Sequence, residues 1–335
     1  MTITNTIRLS TVIFLFLSLL GCKSLDPKRM KVYNEITSQV MRETLPNLEV
    51  GQSAVANSGE IKIWYELIET SEESAKGTVL LIEGLAGTAM GWGDYSYQPF
   101  LTAGLNVIRM DNREVGRSTW TKDLGYDLLD MAEDVLAVIN DANLDAVHLV
   151  GQSMGGMIAQ EFALNYPEKV STLSLIYTSA NIDDESIPGP SKAFINDIIA
   201  AYSTYRKDDI TSQIKLELAS MDASNAGPLA RPDLLFIAQR TRYEIERRRG
   251  KNKQATDVQQ MAITKSGSRK DRLHQLKIPT LIIHGEKDPL IPIEHGKELA
   301  RLIPHAKTVW AEEYGHNIPT GFSEVITKEI IRLIE

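Results

Sequence analysis

The chain has 335 residues, of which 43% are hydrophobic, enough for one large domain or a domain with an inserted subdomain, and this excludes a disordered chain. Its 36 Lys and Arg against 44 Asp and Glu give a net charge of −8, with a pI of about 5.4. That balance leaves no basic excess to neutralise phosphates, so nucleic acid is set aside as a partner and a small molecule or protein is expected.

In chain order, the first element is an apolar run. Arg8 precedes "LSTVIFLFLSLL", Leu9 to Leu20, which has the length of a signal-peptide core and falls short of the about 20 residues that span a bilayer. It ends in "LLGC", Leu19 to Cys22, and Cys22 is the single cysteine of the sequence. No disulfide can therefore form within one chain. The "LLGC" stretch resembles the lipobox of bacterial lipoproteins. The resemblance implies that residues 1–21 are removed and that Cys22 becomes the acylated first residue, so that the membrane is a partner through a lipid anchor. Lys23 stands where an aspartate would resemble an inner-membrane retention signal, which favours the outer membrane of a bacterial envelope. Residues 22–52 are expected to be a tether with a short helix, because "VYNEITSQVMRETL" has helical spacing between Pro27 and Pro46.

From Ile61 the pattern is regular. "IKIWYELIE" alternates as a strand, and "TVLLIEG", "LNVIRMD", "AVHLVGQ", "STLSLIYTS", "IPTLIIHG" and "AKTVWAEE" read as short strands, mostly buried. Helical stretches lie between them, such as "LLDMAEDVLAVINDA", "GGMIAQEFALNYP" and "IEHGKELARLIP". This alternation predicts an α/β fold, a mostly parallel sheet with helices on both faces. Between Asn181 and Gln275 the alternation stops, and the helical pieces there predict a cap inserted over one end of the sheet. The expected division is 53–180 for the first part of the core, 181–275 for the cap and 276–335 for the second part of the core. The basic stretch "RYEIERRRGKNK", Arg242 to Lys253, is expected to be a solvated helix face.

One segment raises a chemical question. "VGQSMGG" places Ser153 after a strand and before a helix, so Gly151 to Gly155 fits G-x-S-x-G in the setting of a nucleophile elbow. A serine hydroxyl needs a base. Of six histidines, His148 lies inside a strand, His284 ends one, and His274, His295 and His305 fall on helices or their ends. His316, in the turn "YGHNIP" after the strand "KTVWAEE", is the expected base, since a loop at the carboxyl end of a strand can face the crevice of the sheet. Asp288 in "HGEKDPLIP" is the expected orienting acid; Glu286 is its nearest rival, and Asp183 and Asp184 occupy a second plausible acid position.

The order Ser153, Asp288, His316, with "GQSMGG", "HGEKDPLIP" and "GHNIP", resembles the α/β-hydrolase superfamily from about Ile61 onward. "MDNREVGRS" is similar to the D-x-R-x-x-G-x-S stretch of many members, with Asp111 and Arg113 read as loop-stabilising ion pairs, and the combination looks most like the polyketide methylesterase and peroxidase-like branch. The resemblance implies hydrolysis of a small-molecule carboxylic ester with no metal or organic cofactor. It also allows a perhydrolase, an aminopeptidase or a carbon–carbon bond hydrolase; a lipoprotein that only binds a ligand is the alternative of another class. The backbone N–H of Met154 would be one oxyanion donor and that of Leu85, in "EGLAGTAMGW", the second. Glu83 stands where a histidine is common in the family, which leaves open how that loop is pinned.

Overall fold

The structure, a computed structural model, describes residues 24–121, 125–225 and 232–335. The apolar run and Cys22 lie outside the described residues. Eight strands form one sheet: β1 (Gln52–Ser58), β2 (Ile61–Ile68), β3 (Thr78–Ile82), β4 (Asn106–Met110), β5 (Val147–Gln152), β6 (Val170–Ile176), β7 (Thr280–Gly285) and β8 (Lys307–Ala311). Their spatial order is β1-β2-β4-β3-β5-β6-β7-β8, and every pair is parallel except β1 with β2 and β2 with β4. The central strands are mostly apolar because both faces are covered: all five residues of β3 are buried. On β2 the expected alternation is lost, since the consecutive residues Ile63 to Glu66 are all buried. Trp64 is covered by the Arg248 guanidinium, whose carbon lies 4.3 Å from the ring centre.

Helix α1 (Pro27–Val40) precedes the sheet, and α2 (Asp94–Thr102), α3 (Leu128–Asp141) and α4 (Met154–Asn165) lie between its strands. The start of α3 is fixed by a reciprocal cap: the Asp127 carboxylate accepts from the N–H groups of Leu129 and Asp130, and the Asp130 carboxylate accepts from Asp127 N–H. Between β6 and β7 come α5 (Lys192–Thr204), α6 (Ile210–Ala223), α7 (Leu234–Arg247) and α8 (Ala255–Ser266); α9 (Ile293–Leu302) and α10 (Thr320–Ile334) close the chain. Two core clusters sandwich the sheet. One joins Leu80, Ile108 and Leu149 to α3, α4 and α9, and the other joins Leu81, Val107 and Ile283 to α2 and α10.

The segment between β6 and β7 is helical among its described residues and lies against the loops that follow the strands. His316 N–H donates to the Ser224 carbonyl over 3.0 Å, and Phe236 meets Tyr95 edge to face at 5.5 Å. Helix α1 adds a further layer: Leu25, Tyr33 and Val40 form an apolar cluster with Ala201, Ile214, Leu218 and Ile237 of this cap. The stretch from Arg242 to Lys253 is the expected solvated face only in part: Glu246, Arg247, Arg249, Lys251 and Lys253 are exposed, while other residues turn toward the fold. Arg242 donates to the carbonyls of Val40 and Glu43, Arg249 lies over the Trp120 ring, and the fully covered Arg248 side chain pairs with Asp111 and Glu49 at 2.8 Å each. Arg242 and Arg248 turn inward because carboxylates and carbonyls of distant segments meet them there, a pairing that charge pattern along the chain does not encode.

Candidate active site

Ser153 sits between the last residue of β5 and the first of α4, with φ 53° and ψ −122°. A non-glycine residue rarely adopts that left-handed geometry, and here the packing imposes it. A Cβ on Gly151 would collide with the Gly155 carbonyl, and one on Gly155 with the carbonyl of Ile82 on β3. Both glycines are therefore needed for strand, turn and helix to approach so closely. Ser153 is held on each side as well: its N–H donates to Ile176 O at 3.0 Å, and Thr178 Oγ1 donates to its carbonyl at 2.7 Å.

The turn after β8 brings His316 to the serine. His316 Nε2 lies 3.0 Å from Ser153 Oγ, and Nδ1 lies 2.7 Å from Asp288 Oδ2. An ionised carboxylate only accepts, so Nδ1 carries the proton and Nε2 presents a lone pair to the serine hydroxyl. Asp288 is buried and is fixed by its other oxygen, which accepts from Leu290 N–H at 2.9 Å and Ile291 N–H at 2.8 Å. The buried His284 lies 3.5 Å from the same carboxylate. Burial pushes the His284 pKa down, and its Nε2 is spent on Ile291 O at 2.8 Å. Tyr177 covers His316 with ring centres 4.5 Å apart.

The rival acids lie elsewhere. Glu286 is exposed; Asp183 takes no part in the cluster; Asp184 pairs with Lys270 at 2.6 Å, a contact that holds its pKa down at about 2. Among the other histidines, His148 Nδ1 meets Thr172, His295 is held between Ser179 and Pro188 O, and His305 meets Ile278 O. Arg113 forms an ion pair with Asp134 at 2.7 Å, and Asp111 pairs with Arg248, as expected for loop-stabilising roles.

The loop after β3 runs beside the serine: a Cβ on Gly84 would stand 3.1 Å from Ser153 Cβ. The N–H groups of Leu85 and Met154 have no protein acceptor among the described residues. Glu83 is buried under this loop. Its carboxylate accepts from Gly84 N–H at 2.9 Å and bonds Gln152, which in turn accepts from Tyr177 Oη. Burial pushes the Glu83 carboxyl up to about 7, against the opposing pull of Arg240. The Gln152, Tyr177, Arg240 and Gln259 side chains around the site carried no sequence signal, since polar residues in helical or strand-end stretches look alike until folding brings them together. Among the described residues no group of three or more His, Cys, Asp or Glu converges in a way that could hold a metal ion, and no helix is long and apolar enough to cross a membrane.

A sequence model of the α/β-hydrolase fold matches residues 77–319. The chain belongs to the α/β-hydrolase fold family. This α/β hydrolase is 27% identical over 295 residues to rhodomycin D methylesterase of Streptomyces peucetius, covering 81% of this chain and 94% of that protein. It is 26% identical over 278 residues to a 2-hydroxy-6-oxononadienedioate/2-hydroxy-6-oxononatrienedioate hydrolase of Paraburkholderia phymatum, covering 80% and 90% of the two chains. Among solved structures it resembles an esterase from Exiguobacterium antarcticum with TM-score 0.66 and 24% identity, over 85% of this chain and 99% of that one. That last likeness bears on the fold alone.

Proposed function

We propose that this α/β hydrolase cleaves a carboxylic ester of a small or medium-sized substrate through an acyl-enzyme on Ser153. The observation that carries the reading is the continuous line from Asp288 through His316 to Ser153, with contacts of 2.7 Å and 3.0 Å. Ser153 Oγ attacks the ester carbonyl while His316 Nε2 takes its proton, and the oxyanion accepts from Leu85 and Met154 N–H. The tetrahedral adduct expels the alcohol, which receives that proton, and leaves the acyl group on Ser153. Water then attacks the acyl-enzyme with His316 again as base, releasing the acid and restoring the serine. Asp288 holds the Nδ1–H tautomer and offsets the positive charge of the imidazolium.

The named methylesterase relative supports an ester as substrate; the dienedioate hydrolase relative supports keeping carbon–carbon cleavage in the assay. A lipid at Cys22 would hold this chemistry on the outer membrane of a bacterial envelope, a reading supported by the apolar run, "LLGC" and Lys23. The test is hydrolysis of p-nitrophenyl esters of increasing acyl length, beside a vinylogous diketone, by the chain that begins at Lys23. Ester cleavage that disappears in Ser153→Ala bears the reading out. Cleavage of the diketone alone would replace it, and no turnover by a folded protein would leave ligand binding as the function.

A further inference from the structure

We propose that Gln259, on cap helix α8, is a positioning residue that holds the oxyanion-binding loop in shape. The inference rests on the reading of Leu85 as an oxyanion donor. Its starting point is the use made of four successive N–H groups. Gly84 N–H donates to the Glu83 carboxylate at 2.9 Å, Ala86 N–H to Gln259 Oε1 at 2.7 Å and Gly87 N–H to Gly84 O at 3.1 Å. Leu85 N–H is left open between them. A loop that satisfies its flanking donors while one stays without an acceptor is arranged for an incoming acceptor.

Of these three bonds, the one to Gln259 is the only one that reaches outside the loop itself. It also acts where the backbone is strained, because Ala86 is left-handed at φ 57°. Without a partner for its N–H, Ala86 is free to return to an ordinary conformation, and that rotation reorients the adjoining Leu85 peptide. Gln259 is well placed to resist it. Its side chain is fully buried, and its Nε2 donates to Arg113 O at 2.8 Å. Arg113 is clamped in turn by both oxygens of Asp134, at 2.7 and 2.8 Å. The backbone of α8 is equally fixed, since Val258, Ala262 and Ile263 belong to the core cluster under α3 and α4 and not to the cluster that α1 shares with the cap. The amide therefore ties the loop after β3 to the loop after β4 through a helix that follows in sequence by well over a hundred residues. Glu83, in the position where the family commonly has histidine, fixes only the first turn of the loop.

The test compares the wild-type chain with Gln259→Met, which keeps length and volume and removes both hydrogen bonds. Ester turnover by wild type and its loss in Ser153→Ala are measured first, so a wild type inactive on every ester tells against the proposed function and not against Gln259. In the folded variant kcat should fall by about tenfold to a hundredfold, less than the loss of a direct oxyanion donor, while KM stays within about twofold. Affinity for an alkylboronic acid, which becomes tetrahedral on Ser153, should fall by the same factor as kcat. An unchanged kcat would overturn the proposal, and so would a lower kcat with the boronic acid bound as tightly as before. Should Gln259→Met fail to fold, Gln259→Asn keeps the amide but withdraws it by one carbon, and it carries the same expectation and the same contrary results.

Discussion

Asp288 does more than lie near a histidine: two backbone N–H groups fix one oxygen, which leaves the other aimed at His316 Nδ1. Asp288→Asn preserves that shape but offers His316 the wrong tautomer, and kcat should fall by about 10⁴-fold with little change in melting temperature. Glu83 supports a prediction of another kind. It is faced by Arg240 and Glu244 of α7, Gln152 and Tyr95, and burial still raises its pKa from 4.5 to about 7. Between those values the folded chain keeps a proton that the unfolded chain has released, so stability from this group is full below the lower value and is lost as pH rises toward the upper one. Glu83→Gln is neutral throughout. Its melting temperature relative to wild type should therefore increase between about pH 5 and about pH 8, and equal shifts at both ends would show that folding does not raise the Glu83 pKa. The meeting of Ser153, Asp288 and His316 was legible because each sits in a short pattern at a strand end. The surroundings of Glu83 were not, because Arg240 arrives from a helix more than a hundred residues away.

Among the elements, the strands and the flanking helices follow from runs of buried residues, and most begin and end within a residue or two of their sequence signals. Strand β1, with only Ala56 buried, and helix α8, whose buried positions include Gln259 and Gln260, gave no comparable signal. In both cases polar residues occupy positions that packing covers. The same is true of the pair Glu66 and Arg109, opposite each other on β2 and β4 and joined at 2.7 Å in a fully buried setting. Arg109 also donates to the carbonyls of Trp92 and Leu48, so it cannot leave without unpairing three segments. Glu66→Ala strands that cation and should cost about 3–5 kcal/mol in chemical denaturation, whereas a loss under about 1 kcal/mol would mean that water reaches Arg109. At the elbow, Gly155→Ala pushes a methyl group into backbone oxygens of Ile82 and Glu83 that have no rotamer to yield. A loss of at least about 2 kcal/mol is expected, measured by thermal melting.

On the scale of the whole molecule, the short helix expected within residues 22–52 is α1, and it packs on the cap as a structural layer. Arg29 reaches Asp197 at 2.6 Å and Asp222 at 2.8 Å, and Tyr33 Oη donates to Asp222 at 2.6 Å. Asp222 lies two residues before Ser224, whose carbonyl receives His316 N–H, so α1 braces the part of the cap that touches the site. Tyr33→Phe leaves the Asp222 carboxylate short of a donor and should cost about 1–2 kcal/mol of stability. The cap's existence was legible from the missing strands, but its docking was not, because salt links such as Arg248 to Asp111 pair residues with no periodic relation in sequence. All these contacts converge on one claim, that Ser153 is an activated nucleophile. The most direct measurement is mass spectrometry of the chain after exposure to a fluorophosphonate. One adduct is expected, on Ser153, abolished by Ser153→Ala and much slowed by His316→Gln; a folded protein that takes no adduct, or takes it on another residue, would contradict an activated Ser153.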